Sequence, residues 1–222
     1  MLYLMFEDFD LYSQVNVSRE KMKRLLVEVR QNYCSENPYH NFIHAFDVTR
    51  NIYVYLSTCG AAAYLGHLEI FALLLSGLLH DVGHPALNNN FVIRTRHPLA
   101  MRYNDKSVLE NYHCAFGFSL MQMPECNVLE NLDEDQYTVV RAAIVNNILA
   151  TDLVRHAEIV DRFKGAVHSP FDREDKEHRS LLTQILIKMA DIANPAYHFD
   201  IAKAWAERVQ NEFFLQGDQE RE

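Results

Sequence analysis

The sequence predicts an all-α fold, and three observations carry that prediction. Only seven glycines and six prolines interrupt 222 residues, so forced turns are scarce. Strong helix formers fill the stretches between them. The apolar run at 70–79, Ile-Phe-Ala-Leu-Leu-Leu-Ser-Gly-Leu-Leu, is too short to span a bilayer and reads as a buried core helix. His80, Asp81 and His84 stand at its end. Burying such groups is costly unless they are paired or bind a metal, and imidazole beside carboxylate suits a zinc-like cation.

A hydrophobic fraction of 49% is ample for a core, in one large domain or two small ones. The formal charge of -9 argues against a nucleic acid polymer or an anionic membrane as partner. A bound divalent metal would make acidic clusters tolerable and would recruit an anionic substrate. Cys34, Cys59, Cys114 and Cys126 lie far apart, as reduced thiols of a cytoplasmic protein do. The apolar start at 1–6 is too short for a signal sequence, and Glu7-Asp8 follow at once. No membrane span, repeat or low-complexity linker is expected.

Each helix has its own reason. Ser18 offers an N-cap to a helix with Met22, Leu25, Leu26 and Val29 inward, and Ser35-Glu36-Asn37-Pro38 ends it. In YHNFIHAFDV, His40 and His44 stand at i, i+4, so a helix there would project both rings from one face. Isolated, such a pair reads as two exposed histidines near a helix start. Asn88-Asn89-Asn90 suits a loop or a helix start. Asn104-Asp105-Lys106-Ser107 then caps a helix over 108–123. Ser107-x-x-Glu110 matches a capping box, which suffices to explain Glu110; a face shared with His113 is the functional alternative.

A long helix is expected over 133–164, with Asp152 and His156 at i, i+4 as a plain intrahelical pair. Ser169-Pro170-Phe171-Asp172 marks a break. The next helix turns Leu181, Leu182, Ile185, Leu186 and Met189 inward and ends at ADIANP, where Asp191 is too deep in an apolar run for a surface acid. The last helix places Trp205, Val209, Phe213 and Phe214 on one side with Glu212 beside them, and residues 217–222 form a charged, frayed end. Six of eleven histidines (His40, His44, His80, His84, His113, His156) fall in polar motifs on otherwise apolar helices. Ligands converging from several helices are what a metal site in a bundle requires.

YHNFIHAFDV, HDVGHPALNNNF, YNDKSVLENYHCAFGF, ILATDLVRHAEI and MADIANP, in this order, resemble the catalytic domain of class I cyclic-nucleotide phosphodiesterases, within the wider HD metal-hydrolase group. The likeness covers nearly the whole chain and implies one domain, a compact multi-helix bundle. Two of the motifs incline toward the cGMP-selective branch. The resemblance implies two divalent ions, zinc held tightly by His44, His80, Asp81 and Asp191, and magnesium or manganese at a second site bridged by Asp81. His40 matches the general acid and Glu212 the carboxylate that orients it. Glu110, Thr151 and His84 match groups near the metal waters, with His113 and Asp152 in the same shell. Tyr39 and Asn194, with Leu153 and Ile192, match the lining of a nucleotide pocket. A metal pair about 3.5–4 Å apart can activate water and hold a phosphoryl oxygen for in-line attack.

The chain departs from the family pattern in places. Gly83 replaces an aspartate in the HDxxH motif, so altered local hydrogen bonding is expected rather than loss of metal. Ala86 and Tyr112 replace a usual glycine and histidine. Nothing matches the family's C-terminal helices, which carry the purine-binding glutamine and a clamping phenylalanine, so weak base discrimination and homo-oligomers through exposed apolar faces are expected. Alternatives are an HD-type hydrolase of another phosphate ester and a non-catalytic module that binds metal or nucleotide.

Overall fold

The computed structural model describes residues 1–168 and 171–221. Among them are twelve α-helices and no strand: α1 (Leu2–Asp8), α2 (Leu11–Gln14), α3 (Arg19–Gln31), α4 (Phe42–Ser57), α5 (His67–Leu79), α6 (Asn89–Arg94), α7 (Pro98–Tyr103), α8 (Val108–Met121), α9 (Glu134–Ala150), α10 (His156–His168), α11 (Lys176–Asp191) and α12 (Phe199–Gln219).

Helix α5 is the axis of the bundle. Every residue from Ile70 to Leu79 is buried, and α4 and α9 pack along it. Each fully buried leucine there contributes about 1.5–3 kcal/mol. Gly77 sets how closely α4 approaches, because a Cβ at this position would lie 2.7 Å from Ile52 Cδ1 and 3.2 Å from the Thr49 backbone. The apolar N-terminal stretch, unassigned from sequence, forms α1 and buries Leu2, Met5 and Phe6; the Phe6 ring meets Phe71 edge-on at 6.0 Å.

Local chemistry starts the helices. Ser18, Asn88 and Asp133 accept from backbone N–H groups of the first turns of α3, α6 and α9. Asn41 does the same for α4 by accepting from Ile43 N. His40 therefore precedes α4 and shares no helical face with His44.

The single helix expected over 133–164 is two. Helix α9 ends at Ala150. Asp152 caps a short 3₁₀ turn (Leu153–Arg155) by accepting from Val154 N at 2.9 Å, and His156 starts α10. Asp152 and His156 thus form no intrahelical pair, and His156 is exposed, away from the other histidines. A buried ammonium stabilises the break: Lys188 Nζ donates to Ala150 O at 2.6 Å, where α9 leaves carbonyls unpaired.

At the other end, α12 continues to Gln219, so the first half of the segment expected to fray is helical. Phe213 and Phe214 are 58% and 67% exposed and do not share the buried side of Trp205. Of the break expected at 169–172, Ser169 and Pro170 lie outside the described residues, as does Glu222; Phe171 and Asp172 are non-helical.

Candidate metal centre

Helix ends converge on one point. His44 comes from the first turn of α4, His80 and Asp81 from the C-terminal end of α5, and Asp191 from the last residue of α11. Tyr33 fixes the α5 corner, donating to Leu78 O at 2.9 Å while its oxygen accepts from Asp81 N at 3.3 Å. Asn37 ties the neighbouring loops, its amide donating to the carbonyls of His40 (2.9 Å) and His84 (2.8 Å).

His44 Nε2 lies 3.1 Å from Asp191 Oδ1, 3.3 Å from His80 Nε2 and 3.4 Å from Asp81 Oδ2. His80 Nε2 lies 3.0 Å from Asp81 Oδ2 and 3.4 Å from Asp191 Oδ1. His80 Nδ1 donates to Gly77 O at 2.9 Å, which leaves Nε2 of the neutral ring an acceptor. Lone pairs therefore meet lone pairs, and the cluster needs positive charge at its centre. Four ligands about 2.0–2.1 Å from a tetrahedral ion sit roughly 3.3 Å apart, and two imidazoles with two carboxylates are a zinc-like donor set. The residues present fit a divalent cation.

The titration tendencies tell the same story. Burial alone pulls the imidazoles of His44 and His80 down, but the facing carboxylates override it and raise both. Burial pushes Asp81 and Asp191 up, yet the histidines hold both carboxyls well below the usual range.

A second group of potential ligands (Asp81, His84, His113) adjoins the first. His113 Nδ1 donates to Val82 O at 2.8 Å, so its Nε2, also an acceptor, faces Asp81 Oδ1 at 3.8 Å with no partner. Burial lowers His113 to about 4 and keeps it neutral. Burial, then the adjacent His40, likewise lowers His84. The Ala86 amide donates to His84 Nδ1 at 3.0 Å and so places the ring proton on Nε2.

Glu110 belongs to this neighbourhood rather than to a capping box. Ser107 has a left-handed backbone and makes no cap bond; its hydroxyl donates to Asp152 Oδ2 at 2.7 Å instead. The Glu110 carboxylate accepts from Asn89 Nδ2 at 3.1 and 3.0 Å. Burial pushes its acid up to about 7 despite those bonds. Thr151 donates to Ile148 O at the end of α9.

Beside the metal cluster, the Glu212 carboxylate pairs with His40 Nδ1. Its other oxygen accepts the backbone N–H groups of Tyr39 and His40, each at 3.0 Å. The His40 ring stacks on His84 at 3.9 Å and lies 5.8 Å from the His44 ring. Tyr39 donates to Asn194 Oδ1 at 2.6 Å. Leu153 and Ile192, 70% and 52% exposed, lie at the ends of the polypeptide turns that follow α9 and α11.

Gly83 carries an aromatic contact where altered hydrogen bonding was expected. Its φ is +75°, and a Cβ would stand 2.6 Å from the Phe116 ring and 2.9 Å from the Tyr112 hydroxyl. Its N–H still bonds Asn32 O at 3.1 Å. Sequence reasoning passed over Asp47 and Lys188, and took Asn37 only as part of a helix break. Asp47 and Lys188 did carry a signal, as charged residues on the apolar faces of α4 and α11.

Fold and site together define an all-helical protein built around a histidine–carboxylate candidate metal centre. Residues 39–222 match the sequence profile described as 3'5'-cyclic nucleotide phosphodiesterase. The chain is 43% identical over 221 residues to "3',5'-cyclic-nucleotide phosphodiesterase regA" of Dictyostelium discoideum, covering 99% of this chain and 28% of that protein. It is 38% identical over 217 residues to the "High affinity cGMP-specific 3',5'-cyclic phosphodiesterase 9A" of Mus musculus, covering 98% of this chain and 40% of the other. The crystal structure of the phosphodiesterase domain of a rhodopsin fusion protein from Salpingoeca rosetta superposes with a TM-score of 0.94 at 34% identity, over 99% of this chain and 70% of that one. The chain belongs to the 3',5'-cyclic nucleotide phosphodiesterase family, and it spans well under half the length of these two curated relatives.

Proposed function

We propose that residues 1–222 form a catalytic domain that hydrolyses a 3′,5′-cyclic nucleotide to its 5′-monophosphate. The observation that carries this reading is the His40–Glu212 pair beside four converging ligand atoms. A proton donor and a candidate cation site thus stand side by side. His44, His80, Asp81 and Asp191 would hold a zinc-like ion, and Asp81, with His84 and His113 nearby, a second ion of magnesium or manganese type. When bound, such a pair supplies Lewis acidity toward the phosphoryl oxygens and toward water.

The chain's own residues account for the rest. Glu212 accepts at His40 Nδ1, which leaves the Nε2 proton to be delivered to the departing ribose oxygen. His84 offers an Nε2–H from a ring kept neutral, while Glu110, Thr151 and Asp152 supply acceptors for water protons. Tyr39, Asn194, Leu153 and Ile192 would face the nucleotide. The motifs at 148–159 and 111–118 and the likeness to a cGMP-specific relative favour cGMP over cAMP.

The test is a substrate panel on the purified, metal-supplemented chain, with product followed by ³¹P NMR. Release of 5′-GMP faster than 5′-AMP supports the reading. Turnover of unrelated phosphate esters with neither cyclic nucleotide cleaved would overturn it.

A further inference from the structure

Asp47 is a buried carboxylate on α4 to which none of the roles above falls. Its Oδ2 accepts from Asn194 Nδ2 at 3.2 Å and from the Tyr197 hydroxyl at 2.8 Å. Its Oδ1 accepts from Arg50 at 3.1 Å. A carboxylate gripped by three donors only accepts, whereas a primary amide donates on one side and accepts on the other. Asn194 must therefore turn its NH₂ toward Asp47 and its oxygen away. On the far side the Tyr39 hydroxyl donates to that oxygen at 2.6 Å. One amide N–H and one oxygen lone pair remain for a ligand.

We propose that Asp47, braced by Tyr197, is a positioning residue that sets which way the Asn194 amide faces, and so which donor and acceptor a bound nucleotide meets. The inference rests on Asn194 lining the nucleotide pocket. Tyr197 holds its place because Asn51 Nδ2 donates to its oxygen at 2.6 Å. The same Asn51 amide approaches Ala190 O at 3.4 Å, one residue before Asp191. An asparagine at position 47 would present both donor and acceptor, and either orientation of Asn194 would then be satisfied.

Three variants test this: Asp47→Asn, the milder Tyr197→Phe, and the exchange Asp47→Asn with Asn194→Asp. Metal content and thermal midpoint are read first, then KM, kcat and the dissociation constant of the 5′-monophosphate by calorimetry. Asp47→Asn should keep its metal and raise KM and the dissociation constant about 3–10-fold, the worth of one hydrogen bond, with kcat less affected. Tyr197→Phe should do the same more weakly. The exchange restores a matched donor and acceptor, so it should recover thermal stability but not nucleotide affinity. Affinity unchanged in Asp47→Asn, or recovered along with stability in the exchange, would overturn the proposal. The side-chain ¹⁵N amide signal of Asn194 gives a readout independent of turnover. It should shift and broaden in Asp47→Asn even if the parent cleaves no cyclic nucleotide; an unmoved signal would overturn the positioning itself.

Discussion

The buried histidine–carboxylate cluster and the exposed apolar side chains after α9 and on α12 obey opposite rules. In the cluster, His44 and His80 are fully buried with two carboxylates against them, and the Gly77 carbonyl aims the His80 ring. Val154 and Leu153 after α9, and Phe199 and Phe214 on α12, are 89%, 70%, 73% and 67% exposed. Charge is buried where apolar groups would be safe, and apolar groups are exposed where charge would be. The first inversion is what chemistry at a metal demands, and the second marks a surface suited to contact.

The largest effect should come from the proton-donating edge of the cluster. His40→Ala should keep fold and metal but lose about 10²–10⁴-fold in kcat, the range for general acid–base catalysis. Steady-state kinetics with metal analysis checks this, and parental turnover would remove His40 from the mechanism. Glu212→Gln should lose less, because the backbone N–H groups of Tyr39 and His40 still find an acceptor.

Lys188→Met comes next. It leaves the carbonyls of Ala150 and Asp152 without their ammonium and should cost about 1–3 kcal/mol of stability in denaturant melts. A substitution at an exposed apolar side chain should behave differently. Phe214→Ser should change stability by no more than about 0.5 kcal/mol, while lowering concentration-dependent self-association in sedimentation velocity. A sharply destabilised Phe214→Ser would show that this side chain is packed after all.

A further effect concerns pH. Glu110 titrates near 7 in the folded protein, against an ordinary 4.5. Such a raised acid favours the fold fully below its unfolded value, and that contribution is lost as pH climbs through about 7. Glu110→Gln should flatten the decline across this window in metal-free protein, measured as urea midpoints against pH.

How far the sequence could be read follows from the same contrast. His80, Asp81 and Asp191 stood out because charged groups inside apolar runs have few physical excuses, whereas the full ligand set came from the family resemblance. Helix α5 was legible because ten consecutive buried residues permit little else. The break after α9 was not, because its cause is Lys188, which lies 38 residues away from the carbonyl it caps. Glu110 was misread for a similar reason. Its spacing from Ser107 fits a local cap, and only the tertiary fold supplies Asn89 and Asp152 as the preferred partners. Phe213 and Phe214 were placed on one side with Trp205 because a helical stripe does not reveal where along it a covering element lies.

The central claim is that the buried cluster is a metal centre. Elemental analysis of chelator-treated and then zinc-dialysed protein, parent beside Asp191→Ala, tests it most directly. The account predicts about one tightly held ion in the parent, as one set of four ligands requires. It predicts a loss of affinity well beyond 100-fold in the variant, since even outer-shell changes cost 10–100-fold. Equal zinc retention by both proteins would contradict it.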